Sequence, residues 1–231
     1  ISKLTSQFPS TTAPHVVSIH SGLPVGQSGI YEWYMYEPKL DSLISPLLFN
    51  FAGSSERNTL QKVGLEPKDF FPSKSLYKEL KQNGVSSFVY QSRDYTPSPV
   101  TEEAFNKTQV LGFTTFSEAC LTLSKDLNHH PGPAYHFVYY DKIDSIGHKY
   151  GPDSDFYASE VRNFLNILEE ELLSSIGNQN GKTLLLITTD HGMSPTNPQN
   201  TFYLNLEIPE IVPMIASSKQ GDALVPAGGC R

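Results

Sequence analysis

The apolar positions along the chain fall into three clear patterns. Ala134 to Asp141 (AYHFVYYD) is an aromatic and β-branched run, the signature of a buried strand. Ser154 to Ile176 follows a helical period. Val161, Phe164, Leu165, Leu168, Leu172 and Ile176 recur on one side, with Ser154 placed to cap the start and Gly177 to close the end. Lys182 to Asp190 (KTLLLITTD) is almost continuously apolar, as a strand covered on both faces would be. Strand, helix and strand together predict a βαβ unit and hence an α/β protein built on a parallel sheet.

Upstream the periods are shorter. Pro14 to Gly22, Lys74 to Asn83 and Thr115 to Leu127 read as helices. Val85 to Gln91, Tyr31 to Tyr36 and Ser42 to Phe51 read as strands. Between residues 37 and 131 proline, serine and glycine are frequent, which predicts surface insertions among sheet elements within one domain spanning 1–231. Tyr31, Trp33 and Met35 alternate with Glu32, Tyr34 and Tyr36, so a strand there would show aromatics on both faces, and these are expected to pack in a sheet rather than to stack on a ligand.

Composition narrows the partners. Seventeen basic residues against 24 acidic ones give a formal charge of −7, and no Lys/Arg cluster interrupts the chain. A nucleic-acid backbone is therefore not an expected partner, and no apolar run reaches the roughly 20 residues of a membrane-spanning helix. Cys120 and Cys230 lie far apart, too few for a disulfide framework or a cysteine metal site. Oligomeric state is not legible at this level.

The polar residues that carry chemistry collect where the strands end. After the apolar run comes Thr188-Thr189-Asp190-His191-Gly192-Met193. The carboxyl ends of parallel strands are where α/β proteins gather ligands. An adjacent carboxylate and imidazole there offer oxygen and nitrogen donors for a divalent metal, or simply a capped loop. Asp144 and His148, after the Ala134 to Asp141 run, are four apart, so one turn of helix would put both on a single face. Near the start, Thr12 precedes Pro14, a position that suits an N-cap and also a hydroxyl beside a helix N-terminus that attracts phosphate. His136 reads as a hydrogen-bonded core residue, His129 and His130 as a loop, and Asn106-Lys107-Thr108 as a formal sequon.

Taken in order, PSTTAPH…SGLPVGQSGI, DSIGHKYGP and TTDHGM resemble the type I phosphodiesterase/nucleotide pyrophosphatase family of the alkaline phosphatase superfamily. The resemblance runs from Phe8 to about Asn205. It implies an alkaline-phosphatase-like three-layer α/β fold with a largely parallel central sheet. It also implies two divalent metal ions, zinc or alternatively manganese, and a small phosphodiester or nucleotide substrate. Thr12 would be nucleophile and metal ligand, with Asp190 and His191 on the same metal and Asp144 and His148 on the other. His15 stands where many nucleotide-cleaving relatives carry an asparagine that donates to the substrate, and inherits that substrate-binding role. Relatives also supply an Asp ligand in a DG motif upstream of the nucleophile and a His ligand beyond DHG, neither of which occurs in these 231 residues. The resemblance therefore implies an internal piece of a longer protein. Other readings of the same scaffold are phosphomonoester, phosphonate or sulfate-ester hydrolysis, or an inactive binding protein.

Overall fold

The stretch from Thr12 onward winds into helix α1 (Thr12–Ser21), which buries Ala13, Val17 and His20 along one face. It ends at Gly22, whose φ of 69° is a left-handed conformation that glycine adopts without steric cost. In the computed structural model, which describes residues 2–105, 108–176 and 183–226, α1 belongs to the first of two units, Ile1–Lys74 with Asp190–Arg231. A short helix α2 (Val25–Ser28) follows. Strands β1 (Met35–Glu37), β2 (Ser42–Ser45) and β3 (Asn50–Phe51) then form an antiparallel meander in the order β1-β2-β3. Of the expected Tyr31–Tyr36 strand, Met35 and Tyr36 pair with β2 and Tyr34 forms a single bridge, and Ser42–Phe51 is broken into two strands by a turn. His20 is buried, and desolvation lowers its imidazole pKa to about 3, so it sits in this core as a neutral ring.

The second unit, Ser75–Thr189, holds the parallel sheet. Its elements are α3 (Leu76–Gln82), β4 (Ser86–Ser92), α4 (Pro99–Ala104), β5 (Gln109–Phe113), α5 (Phe116–His129), β6 (Ala134–Val138), α6 (Lys142–Tyr150) and α7 (Asp155–Ile167). Strand β4 is central and pairs in parallel with β5 on one side and β6 on the other. Alternation along β4 divides the core. Tyr90 packs with Phe113, Phe116, Cys120 and Leu123 on one face, while Val89 packs with Tyr77 and Phe105 on the other. Each strand is followed by a helix, as a parallel sheet requires. The α/β class predicted from the chain is thus present. A Cβ at Gly112 on β5 would lie 2.9 Å from Cγ of Arg93, so any side chain there would require Arg93 to shift.

The long helix is close to its predicted extent. Helix α7 passes into a π-helical stretch at Leu168–Leu173 and ends with Ser174–Ile176. Leu168 and Leu172 are buried against α5, and Gly177 lies outside the described residues. Ser154 caps α7 as expected, its Oγ accepting from Tyr157 N at 3.2 Å. Ser154→Ala is expected to lower stability by about 1 kcal/mol in a denaturant titration. Ser154→Asp should retain most of it.

One predicted element is corrected. Lys182 lies outside the described residues, and Thr183–Thr189 adds no strand to either sheet. Leu184 and Leu186 stand 81% and 78% exposed. An apolar run reports a tendency to be buried, and it becomes a strand only where a neighbour supplies the hydrogen-bond ladder. Among the described residues β6 pairs with β4 alone. The parallel sheet arises instead from crossovers earlier in the chain.

Candidate active site

Thr12 is the first residue of α1, and Thr11 occupies the cap position ahead of it, without a side-chain capping bond. Thr12 is thus not the cap, one of the two readings that its position left open. Its hydroxyl is turned elsewhere, to Nε2 of His191 at 3.0 Å, across 179 positions of sequence. The direction of that bond follows from the other ring nitrogen. His191 Nδ1 lies 2.9 Å from the carbonyl oxygen of Gly192. A carbonyl can only accept, so Nδ1 carries a proton and donates it. In the neutral imidazole Nε2 is then an acceptor, and the Thr12 Oγ–H donates to it.

Asp190 completes the group. Its Oδ1 accepts from the backbone N–H of His191 at 3.1 Å, and its Oδ2 lies 3.7 Å from Nε2. The Asp190 and His191 side chains are largely buried, at 19% and 14% exposure. The Thr12 hydroxyl and the Asp190 carboxylate thus both lie close to Nε2 of His191. Nε2 and Asp190 Oδ2 are both acceptors in this tautomer, and a cation beside them would offset their repulsion. His15 lies three residues after Thr12 on the same face of α1. Its Nε2 is buried and has no hydrogen-bond partner among the described residues.

Asp144 and His148 lie in the second unit on α6. The predicted one-turn spacing holds: His148 Nε2 is 3.4 Å from Asp144 Oδ1. Both are accessible, the His148 side chain 54% and the Asp144 side chain 37% exposed. Among the described residues no three His, Cys, Asp or Glu side chains converge as a metal-binding group. The two clusters each contribute one carboxylate and one imidazole, with the Thr12 hydroxyl added to the first.

The remaining candidates are structural. His136 Nδ1 lies 2.9 Å from the Tyr90 hydroxyl, which itself donates to Asp126 at 2.7 Å. The His136 ring stacks on Phe88 at 4.9 Å, as a core histidine would. His129 ends α5 and His130 follows it. Cys120 is buried on α5, and desolvation pushes its thiol up to about 11, which keeps it unreactive. Asn106 and Lys107 of the sequon lie outside the described residues. Among the described residues no helix is long and apolar enough to cross a membrane.

The family profile described as type I phosphodiesterase / nucleotide pyrophosphatase matches residues 1–224. The chain belongs to this family. Among its relatives, human ectonucleotide pyrophosphatase/phosphodiesterase family member 1 is 30% identical over 210 residues, 86% of this chain and 20% of the human protein. An uncharacterized pyrophosphatase/phosphodiesterase of Schizosaccharomyces pombe is 23% identical over 209 residues, 87% of this chain and 40% of the yeast protein. The chain therefore spans less than half the length of these curated relatives. Among solved structures, murine ectonucleotide pyrophosphatase/phosphodiesterase 5 superposes with a TM-score of 0.52. It is 18% identical, and the match covers 76% of this chain and 44% of the murine one. At that identity the likeness speaks for the fold alone, which is the alkaline-phosphatase-like α/β fold that the motifs imply.

Proposed function

We propose that this chain carries the catalytic centre of a divalent-metal-dependent hydrolase of phosphodiester or pyrophosphate bonds, with Thr12 as the nucleophile. The observation that carries the proposal is the convergence of Thr12 Oγ on His191 Nε2 at 3.0 Å with the Asp190 carboxylate beside them. The donor set is right for zinc, with manganese the alternative, because it mixes hard oxygen and imidazole nitrogen. Thr12, Asp190 and His191 would hold one ion, and Asp144 with His148 would contribute to a second. A further argument comes from the murine relative, whose complex with AMP is of an inactive variant in which a threonine is replaced by alanine.

A divalent cation bound at Thr12 would lower the hydroxyl pKa and offset the charge that builds on oxygen in the transition state. The residues of the chain do the rest. Thr12 Oγ, its proton passing to solvent, attacks phosphorus in line with the leaving oxygen. As the Oγ–P bond forms, the P–O bond to the leaving group breaks and its electron pair departs with that oxygen. Water then attacks the phosphothreonine ester and restores the Thr12 hydroxyl. The Nδ1–H of His191, held by Gly192, keeps Nε2 free of a proton and aimed at the site. His15 presents a ring nitrogen on the Thr12 face of α1, where it would donate to a non-bridging phosphoryl oxygen.

The substrate class is a small phosphodiester or nucleotide. The test is a panel of bis-p-nitrophenyl phosphate, p-nitrophenyl phosphate, a phenyl phosphonate and a p-nitrophenyl sulfate, assayed with the intact protein and added zinc or manganese. The diester is expected to give the highest kcat/KM. Preference for the monoester, phosphonate or sulfate would transfer the scaffold to that chemistry. No turnover of any of them, in a protein that still binds AMP, would make it a binding protein.

A further inference from the structure

Helix α6 begins in an unusual way. Its first residue is a lysine, although a cation at a helix N-terminus is opposed by the helix dipole. The residue before it, Asp141, sits in the cap position but makes no side-chain capping bond. The start of α6 is held instead by Lys142. Its Nζ donates to Asp94 Oδ2 at 3.1 Å and lies 3.7 Å from Asp141 Oδ2. These carboxylates come from the loops after neighbouring parallel strands, Asp94 two residues past β4 and Asp141 three past β6. Lys142 therefore ties the carboxyl ends of two strands to the first turn of the helix that carries Asp144 and His148.

From this arrangement we infer that Lys142 is a positioning residue for the Asp144–His148 pair, acting through its ion pair with Asp94. The inference rests on the metal-binding role proposed above. The physical case is a contrast of magnitudes. Asp94 is 70% exposed and Lys142 42% exposed, so their pairing adds little to global stability. Ligand geometry is more demanding, since a small displacement of the α6 start moves both donors together. Partners that touch a metal ligand directly affect metal affinity about 10- to 100-fold, and Lys142 is one step further removed. The expected effect is accordingly about three- to tenfold on affinity, with the fold intact. The arrangement also explains why lysine stands at a position that the dipole disfavours. A long flexible side chain can cross from the helix to the neighbouring loop, which a capping serine or aspartate could not do.

The experiment is zinc binding by chelator competition, with the metal alone as probe, on the intact protein and its variants Lys142→Met, Lys142→Arg and Asp94→Asn. Lys142→Met and Asp94→Asn should each weaken one metal equivalent about three- to tenfold, leaving the other unchanged. Together they should be no worse than either alone, because they break one interaction. Lys142→Arg should restore affinity. Thermal midpoints should stay at the wild-type value, which separates positioning from general destabilisation. Wild-type zinc affinity in both Lys142→Met and Asp94→Asn would overturn the inference while leaving the metal reading intact. A wild-type protein that binds no zinc or manganese would overturn the metal reading, and this inference with it.

Discussion

Thr12→Ala is expected to abolish turnover, by at least about 10³-fold in kcat, on the scale of losing a covalent nucleophile. Alanine removes Oγ together with the Cγ2 methyl group, and it is favoured in a helix, so α1 should form as before. The group that loses a partner is His191, whose Nε2 lies 3.0 Å from Oγ in the wild type. Its Nδ1–H bond to Gly192 and the Asp190 bond to its backbone do not involve Thr12. The imidazole and carboxylate should therefore remain in place, and most bound metal should be retained, with the ion nearest Thr12 held more weakly. The measurement is steady-state turnover of the best diester beside metal content of the same preparation. Thr12→Ser separates the hydroxyl from the methyl group, and should keep activity within about 10²-fold of wild type because the nucleophilic atom is conserved. An alanine variant with full activity would remove Thr12 from the mechanism.

Parts of this site are legible in the chain itself because local rules govern them. A separation of four on a helix brings Asp144 and His148 to 3.4 Å, and that spacing can be read from the letters alone. Ser154 ahead of an apolar period is a cap in sequence and in structure. Other parts depend on tertiary context. The contact of Thr12 with His191 joins opposite ends of the chain, and no local period encodes it. Thr11 rather than Thr12 stands at the cap position of α1, and its side chain makes no capping bond. The tautomer of His191 follows from a backbone carbonyl, and a backbone group leaves no mark on residue identity. Lys142 and Asp94 are 48 positions apart, and only the parallel pairing of β4 with β6 makes them neighbours. Thr183–Thr189 shows the converse: strong apolarity with no strand beside it stays exposed.

Asp190→Asn should separate charge from shape at the centre of the site. The amide oxygen of asparagine can still accept from His191 N, the bond that Asp190 Oδ1 makes at 3.1 Å, so the turn after Thr189 has no reason to unfold. What disappears is the negative charge beside Nε2, at 3.7 Å from Oδ2. A neutral carbonyl is a much poorer ligand for a borderline cation than a carboxylate, and the side chain is largely buried, where charge is least screened by water. Metal content is therefore expected to fall from about two equivalents to about one, with kcat/KM down by at least about 10²-fold, since the affected ion is the one that activates the nucleophile. Activity and metal should be lost in parallel, and raising zinc in the assay should recover part of both. That recovery distinguishes a weakened metal ligand from a lost general base, because extra metal cannot replace a missing proton acceptor. A variant with undiminished zinc and lost activity would assign Asp190 to orienting His191 instead. One with undiminished zinc and full activity would take Asp190 out of the centre altogether, and the ligand set would have to be sought elsewhere around Thr12.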